Sequence, residues 1–253
     1  MEVHHHAHPE HGKKSWKSYF WEFLMLFLAV FCGFLAENRR EHYIEHKRAH
    51  VYAASMVDDL VLDTVALGKV IQYWTYAAHN VDTLLQLLST SGPDQIPSGK
   101  LYWYGLWGGA SGIFVPNDAT FQQMKSSGSL RYFTNKALSR KVAQYDQFIR
   151  KMQARDHYYD IISTEVRKLR SQIFAFQYNE VANQISRAKT IDQTKIDSFI
   201  KTNPPLLNKD PAVFNQYLEM VRSRRMADRL KDLKELQLLA IELLGELKKE
   251  YEL

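Results

Sequence analysis

An apolar run near the start of the sequence constrains the fold more than any other feature. It extends from Tyr19 to Ala36, and Glu22 is the single charge among its eighteen residues. As an α-helix this run would rise about 27 Å, close to the ~30 Å thickness of the hydrocarbon core of a bilayer. Basic residues flank the run at Lys13, Lys14 and Lys17 before it and at Arg39 and Arg40 after it. We therefore predict a transmembrane helix over residues 19–36 that acts as an uncleaved signal anchor; cleavage after the run is the alternative.

Residues 1–18 form a leader rich in histidine and lysine, in which Pro9 and Gly12 oppose helix formation. We expect the leader to be flexible in the absence of a ligand. Imidazole side chains bind zinc, copper and nickel, and a flexible segment can wrap around one such ion. The predicted metal ligands of the leader are His4, His5, His6, His8 and His11. A solvated polar tail without a metal is the alternative.

Residues 37–253 predict an all-α soluble domain. Residues 37–67 contain no glycine or proline, so the anchor is expected to continue into a long helix over residues 37–89. Apolar residues at alternating steps of three and four form a seam in residues 56–88, and a matching seam occupies residues 138–176. Each seam must be buried against another helix. We therefore predict that these two helices form a coiled-coil-like antiparallel hairpin within a helical bundle.

Turn-forming and capping residues divide the rest of this domain into shorter elements. Residues 91–116 combine turn signals with aromatic side chains and glycines, which predicts an irregular hydrophobic loop. Helix-starting and helix-ending residues then mark four further helices. These helices are expected over residues 118–127, 135–187, 192–201 and 211–251, with Gly128 as a C-cap and with Asn135 and Asp210 as N-caps. The last of them is a long C-terminal helix.

Two stretches of the sequence resemble one protein family. The block FWEFLMLFLAVFCGFLAE at residues 20–37 follows the leader, and TFQQMKSSGSLRYFTNKAL at residues 120–138 contains a Ser-Gly-x-Leu turn between two helices. Both are similar to a family of uncharacterised single-span membrane proteins of the Bacteroidota with an N-terminal anchor. The resemblance implies membrane attachment and a helical soluble domain, and it supplies no catalytic residues. The sequence REHYIEHKRAH at residues 40–50 is richer in histidine than that family.

Polar side chains on the predicted anchor helix are further candidates for a site. His42, His46 and His50 recur at four-residue steps and therefore share one helical face. Two imidazoles at this spacing can share a zinc ion if Glu45, water or a second subunit completes the ligand set, and the alternative is a polar stripe. Glu22 lies one turn inside the apolar run. It is predicted either to reach the headgroups or to bond with another membrane span in an oligomer.

The segment LYWYGLWGG at residues 101–109 contains candidate contact residues for a ligand or protein partner. Aromatic side chains beside glycines form concave surfaces that suit a bound peptide or small molecule. The candidate contact residues are Tyr102, Trp103, Tyr104 and Trp107. The alternative is that these rings close one end of the helical bundle.

Charge and motif content argue against several classes of function. The net charge of +5 is spread among acidic residues, so it forms no stripe of one sign to bind nucleic acid. The lone cysteine, Cys32, lies in the apolar run, which leaves the soluble domain without a disulfide or a thiol nucleophile. The sequence has no glycine-rich phosphate loop, HExxH motif or nucleophile elbow. We therefore predict a protein that is not an enzyme, needs no cofactor and binds no nucleic acid.

The basic residues around the anchor bear on its orientation. Their numbers are nearly equal on the two sides, but a short basic leader before a first span usually stays in the cytoplasm. We predict a single-pass protein of the bacterial inner membrane with a cytoplasmic N-terminus and a periplasmic helical domain. The predicted function is a membrane-anchored scaffold or accessory subunit of a membrane complex, in contact with lipid and with a protein partner or a second copy. The alternative is a metal- or ligand-sensing membrane receptor that uses the His-rich leader or the aromatic loop.

Overall fold

A computed structural model describes residues 15–188 and 190–253, and the chain divides into two units, Met1–Val51 and Tyr52–Leu253. The described residues form α-helices and short 3-10 turns and contain no β-strand, which confirms the predicted all-α class. The α-helices are α1 (Trp16–Thr90), α2 (Ser98–Leu106), α3 (Ala119–Ser127), α4 (Lys136–Ile173), α5 (Phe176–Ser186), α6 (Gln193–Thr202), α7 (Pro211–Ser223) and α8 (Met226–Tyr251).

The first unit contains the N-terminal part of α1. No side chain in residues 16–36 is buried, and large apolar side chains such as Phe23 and Val30 are 64% and 72% exposed. In the described part of the chain, α1 is the one helix that is long and apolar enough to cross a membrane, by length and composition. The core helix of a soluble protein can pass the same test of composition, but its apolar residues would be buried.

In the second unit, the rest of α1 and the helix α4 run in the same direction. The Tyr145 hydroxyl of α4 donates a hydrogen bond to Asp63 of α1 at 2.6 Å. Further along both helices, Trp74 of α1 and Tyr159 of α4 contact the guanidinium of Arg229, whose Cζ is 5.8 Å and 5.6 Å from the two ring centroids. The expectation that these two helices form an antiparallel hairpin is therefore wrong.

The segment between the two helices explains their shared direction. After α2 the chain runs back along α1, because the Gly112 carbonyl accepts a hydrogen bond from Trp74 Nε1 at 2.9 Å and the Asn117 N–H donates to Asp63 at 2.7 Å. The chain has thus returned towards the start of the second unit before α4 begins. The helix α8 is antiparallel to α4. The start of α4 meets the end of α8 where Asn135 Nδ2 donates to Glu250 at 3.0 Å, and Asp156, later on α4, pairs with Arg229 near the start of α8.

Residues 98–106 form the helix α2, which corrects the prediction of an irregular loop in this region. Glycines inside α2 allow close packing with other elements. A Cβ at Gly99 would lie 2.0 Å from the Ile200 carbonyl oxygen, and one at Gly105 would lie 2.8 Å from the Phe174 ring. The glycines that suggested a loop therefore serve the close approach of packed elements.

The predicted helix over residues 135–187 ends at Ile173 and resumes at Phe176. Contacts from distant parts of the chain stabilise this interruption. The Ala175 N–H donates to the Tyr102 hydroxyl at 2.8 Å, and the Leu207 N–H donates to the Ile173 carbonyl at 2.9 Å. These bonds satisfy backbone groups at a helix end, so the break needs no glycine or proline.

The predicted C-terminal helix over residues 211–251 is also divided, between α7 and α8. Arg225 takes a left-handed conformation with φ of 49° at this point. The preceding residue, Arg224, is buried and donates hydrogen bonds to the carbonyls of Gly108 and Ala110. The break therefore directs a charged side chain towards the end of α2.

Candidate functional site

The predicted metal ligands fall into two groups. The leader histidines, His4, His5, His6, His8 and His11, lie outside the described residues. The helix α1 carries His42, His46 and His50, and His42 Nδ1 is 3.8 Å from Glu45 Oε2. Within residues 15–188 and 190–253, no group of three or more His, Cys, Asp or Glu side chains is placed to hold a metal ion. Binding of zinc, copper or nickel to either set stays a prediction.

The aromatic residues predicted to contact a ligand or partner are mostly buried. Tyr102, Trp103 and Trp107 are 0%, 2% and 6% exposed, and Tyr104 is half-buried. Tyr102 packs against Phe174 with ring centroids 4.8 Å apart. The rings are therefore packed within the second unit. Contact of these residues with a ligand or partner stays a prediction.

Three arginines from α4 and the α7–α8 junction converge on the end of α2. This helix continues into a 3-10 turn at Trp107–Gly109, and the last carbonyls of such an end have no N–H partner within the helix. The arginines supply the missing donors, as cationic side chains at helix C-termini commonly do. Arg170 bonds to the Leu106 carbonyl at 2.8 Å, Arg167 to that of Gly109 at 3.4 Å, and Arg224 to those of Gly108, at 2.6 Å, and Ala110.

A polar cleft of about 300 Å³ lies beside this end of α2. Arg167 and Arg170 of α4 line one part of it, and Arg187, which follows the last residue of α5, lines another. The uncharged polar residues of the lining are Tyr73, Ser111, Asn183 and Ser186. Leu106, Trp107, Gly109 and Ala110 complete it, so Trp107 of the predicted contact residues lies on this cleft. None of the described residues that line this cleft is acidic.

The arginines around the cleft carry positive charge that carboxylates compensate only weakly. Arg167 Nη2 is 3.8 Å from an oxygen of Asp160, whose side chain is 72% exposed. Burial lowers the pKa of Arg170 from its ordinary value. Burial likewise lowers the pKa of Arg224, to about 10. Both guanidinium groups still carry their charge at neutral pH, where they are bonded to neutral carbonyls.

A buried polar centre surrounds Asp63, and Asn117 and Tyr145 supply its hydrogen bonds. The Asp63 carboxylate is 1% exposed and accepts bonds from the Asn117 N–H at 2.7 Å, from Asn117 Nδ2 at 2.9 Å and from the Tyr145 hydroxyl at 2.6 Å. Burial, together with the charge and hydrogen bond of Asp63, raises the pKa of Tyr145. The adjoining cavity of about 20 Å³ has room for about one water molecule. This centre links α1, α4 and the returning segment.

The sequence did not predict the arginine-lined cleft. Basic residues are concentrated near the α7–α8 break, but only the fold shows that Arg224 reaches the end of α2. No recognisable motif contains Arg167, Arg170 and Arg187. Their side chains come together only because the chain changes direction at the break between α4 and α5. No protein-family model, curated protein or solved structure matches the chain.

Proposed function

We propose that this chain is a single-pass membrane-anchored helical scaffold or accessory subunit of a membrane complex, without enzymatic activity. The observation that carries the proposal is the apolar run in α1, whose side chains are not buried within the chain. Transfer of so much exposed apolar surface into lipid is strongly favourable. Trp16 and Trp21, 82% and 62% exposed, are aromatic side chains of the kind enriched at the headgroup layer. The resemblance to the Bacteroidota family supports the same proposal.

A pair of arginine substitutions in the apolar run tests membrane insertion. Each arginine near the centre of a span costs about 2.5–3.5 kcal/mol of insertion free energy. We expect the parent protein to stay in the membrane pellet after an alkaline carbonate wash and the Leu26→Arg, Val30→Arg double variant to be released. A Tyr43→Arg, Val51→Arg variant is the matched control, because both of those exposed side chains lie beyond the run. Release of the parent, or equal retention of both variants, would contradict the proposal.

We place the N-terminus in the cytoplasm and residues 52–253 in the periplasm of a bacterial inner membrane. The short basic leader supports this orientation, since such leaders usually stay inside. An alkaline phosphatase fused after Leu253 should be active, because the enzyme needs an oxidising compartment to form its disulfides. An inactive fusion that is present at normal abundance would reverse the orientation.

Exposed apolar side chains on the second unit support a scaffold that binds a protein partner or a second copy. The helices α1 and α8 are neighbours where Gln237 Nε2 donates to the Thr64 carbonyl at 3.2 Å. Leu62 on α1 is 56% exposed, and Leu238 on α8 is 61% exposed. A Leu62→Glu, Leu238→Glu variant purified in mild detergent should lose any second copy or partner that accompanies the parent. An unchanged assembly size would exclude contact through these two side chains.

A ligand-sensing membrane receptor is the second candidate function. The polar cleft beside the aromatic segment favours it, because ligand pockets commonly have volumes from about 300 Å³ upward. Ligand binding at the cleft distinguishes this candidate from a purely structural scaffold.

A further inference from the structure

We propose that the arginine-lined cleft of residues 52–253 binds a small oxyanion, a phosphate or carboxylate group, through Arg167, Arg170 and Arg187. This proposal deepens the second candidate function by naming its ligand class, and it does not depend on membrane attachment. It rests on the charge of the cleft, on the donors that line it, and on one arginine that the fold itself does not use.

The charge of the cleft favours an anion over other ligands. Three guanidinium groups line it, and none of its described lining residues is acidic. A cleft with one sign of charge and weakly polarisable walls concentrates the electric field and attracts counter-ions. A cationic ligand would be repelled. A purely apolar ligand would leave the arginines and hydroxyl groups of the lining without solvent or partner.

The lining also offers hydrogen-bond donors of the kind that bind oxyanions. A guanidinium presents a planar fork of N–H groups that matches a carboxylate or phosphate with two parallel bonds. The Ser111 and Ser186 hydroxyls and the Asn183 amide are neutral groups on the same lining. A cleft of about 300 Å³ is at the small end of ligand pockets, which suits a compact anion rather than an extended one.

Two of the three arginines that line the cleft also cap the end of α2, and the third, Arg187, does not. Arg170 and Arg167 donate to the carbonyls of Leu106 and Gly109. Each guanidinium has five N–H groups, so both retain further donors. The Arg187 side chain is exposed, and within residues 15–188 and 190–253 it makes no hydrogen bond or ion pair. Hydrogen bonds and ion pairs within the described residues therefore do not account for the position of the Arg187 guanidinium on the lining.

Isothermal titration of the full chain in mild detergent tests the proposal, with inorganic phosphate and succinate as separate probes. We expect saturable heat at low salt for at least one probe, and about tenfold weaker binding by Arg187→Gln, since one charge-assisted hydrogen bond is lost. Saturable heat with phosphate alone would identify a phosphoryl ligand, and saturable heat with succinate alone would identify a carboxylate ligand.

An exposed arginine on α4 provides the matched control. Arg140 lies 27 residues before Arg167 on the same helix, about 40 Å away along its axis, and its substitution to Gln removes the same charge. We expect Arg140→Gln to bind like the parent. The proposal is overturned if neither anion gives saturable heat, or if Arg140→Gln and Arg187→Gln weaken binding equally. Far-ultraviolet circular dichroism should show that both variants are as helical as the parent.

Discussion

Asp63 and the arginines beside α2 are charged groups in the same helical unit, but they differ in their burial and in their partners. Asp63 accepts three hydrogen bonds from groups of the chain and adjoins a cavity of about 20 Å³. The arginines donate to neutral carbonyls and line a cleft of about 300 Å³. A charge whose bonds are supplied internally fixes the packing of helices. Arginines that retain unbonded N–H donors are suited to bind a ligand.

Removal of the Asp63 carboxylate should give the largest loss of stability. Asp63→Ala would leave the Tyr145 hydroxyl and two Asn117 donors without their acceptor in a buried site, at a cost of about 3 kcal/mol in the free energy of unfolding. Urea titration followed by circular dichroism at 222 nm measures the change. Asp58→Ala is the control, because Asp58 is exposed on the same helix, and its effect should stay within about 0.5 kcal/mol. Equal effects would contradict a structural role for Asp63.

Disturbing the end of α2 should have the next largest effect. A Cβ at Gly108 would lie 2.5 Å from the Tyr217 hydroxyl oxygen and 2.8 Å from a Val221 methyl group. Gly108→Ala should therefore cost about 2 kcal/mol and displace the carbonyl that accepts a bond from Arg224. At Gly92 an added Cβ would meet no atom within 4 Å, so Gly92→Ala should be nearly neutral. If the two variants were equally stable, the packing around α2 would be looser than described.

Alkaline pH should weaken the centre at Asp63 through Tyr145. The pKa of Tyr145 is raised in the folded state, so the unfolded chain loses this proton at lower pH, near 10. The stabilisation is therefore complete below pH 10 and is lost as pH rises above it. Absorbance at 295 nm should show that some of the 14 tyrosines ionise only when ellipticity at 222 nm falls. Tyr145→Phe should cost about 1 kcal/mol at neutral pH.

Ionisation of every tyrosine near pH 10 with the helices intact would contradict this account. Tyr145→Phe should also reduce the fraction of tyrosine that ionises late.

The smallest effect on stability is expected at Arg187. Arg187→Gln should change the free energy of unfolding by less than about 0.5 kcal/mol, because its exposed side chain bonds to none of the described residues. Arg224→Gln should cost about 2 kcal/mol, because this side chain is 2% exposed and bonds to two carbonyls. Thermal unfolding of the parent and of the two variants measures the loss of stability in each. A large loss of stability in Arg187→Gln would show that the Arg187 side chain stabilises the fold, contrary to this prediction.

Features encoded within a few residues could be predicted from the sequence. The Asn135 side chain accepts bonds from the N–H groups of Ala137 and Leu138, as expected of an N-cap, and Gly128 has the positive φ of 70° expected of a C-cap. The Asp210 side chain likewise accepts a bond from the Ala212 N–H. These signals are reliable because the side chain and the backbone groups that it satisfies are close in sequence.

Features that depend on distant contacts could not be predicted in this way. Gly99 and Gly105 suggest a turn rather than the helix α2 unless their packing against Ile200 and Phe174 is known. The shared direction of α1 and α4 follows from the returning segment around Asn117. The cleft was missed for the same reason, since its arginines come from α4 and the end of α5 and meet beside α2 only in the folded chain.

Thermal unfolding with and without added anion tests most directly whether the Asp63 centre and the arginine-lined cleft differ as described. The parent, Tyr145→Phe and Arg187→Gln proteins would be compared with phosphate or succinate at ten times the dissociation constant of the parent. Binding should add about 1.4 kcal/mol to the unfolding free energy of the parent and of the less stable Tyr145→Phe protein. It should add much less to Arg187→Gln, whose stability without anion matches the parent. Equal stabilisation of all three proteins, or none in the parent, would contradict the account.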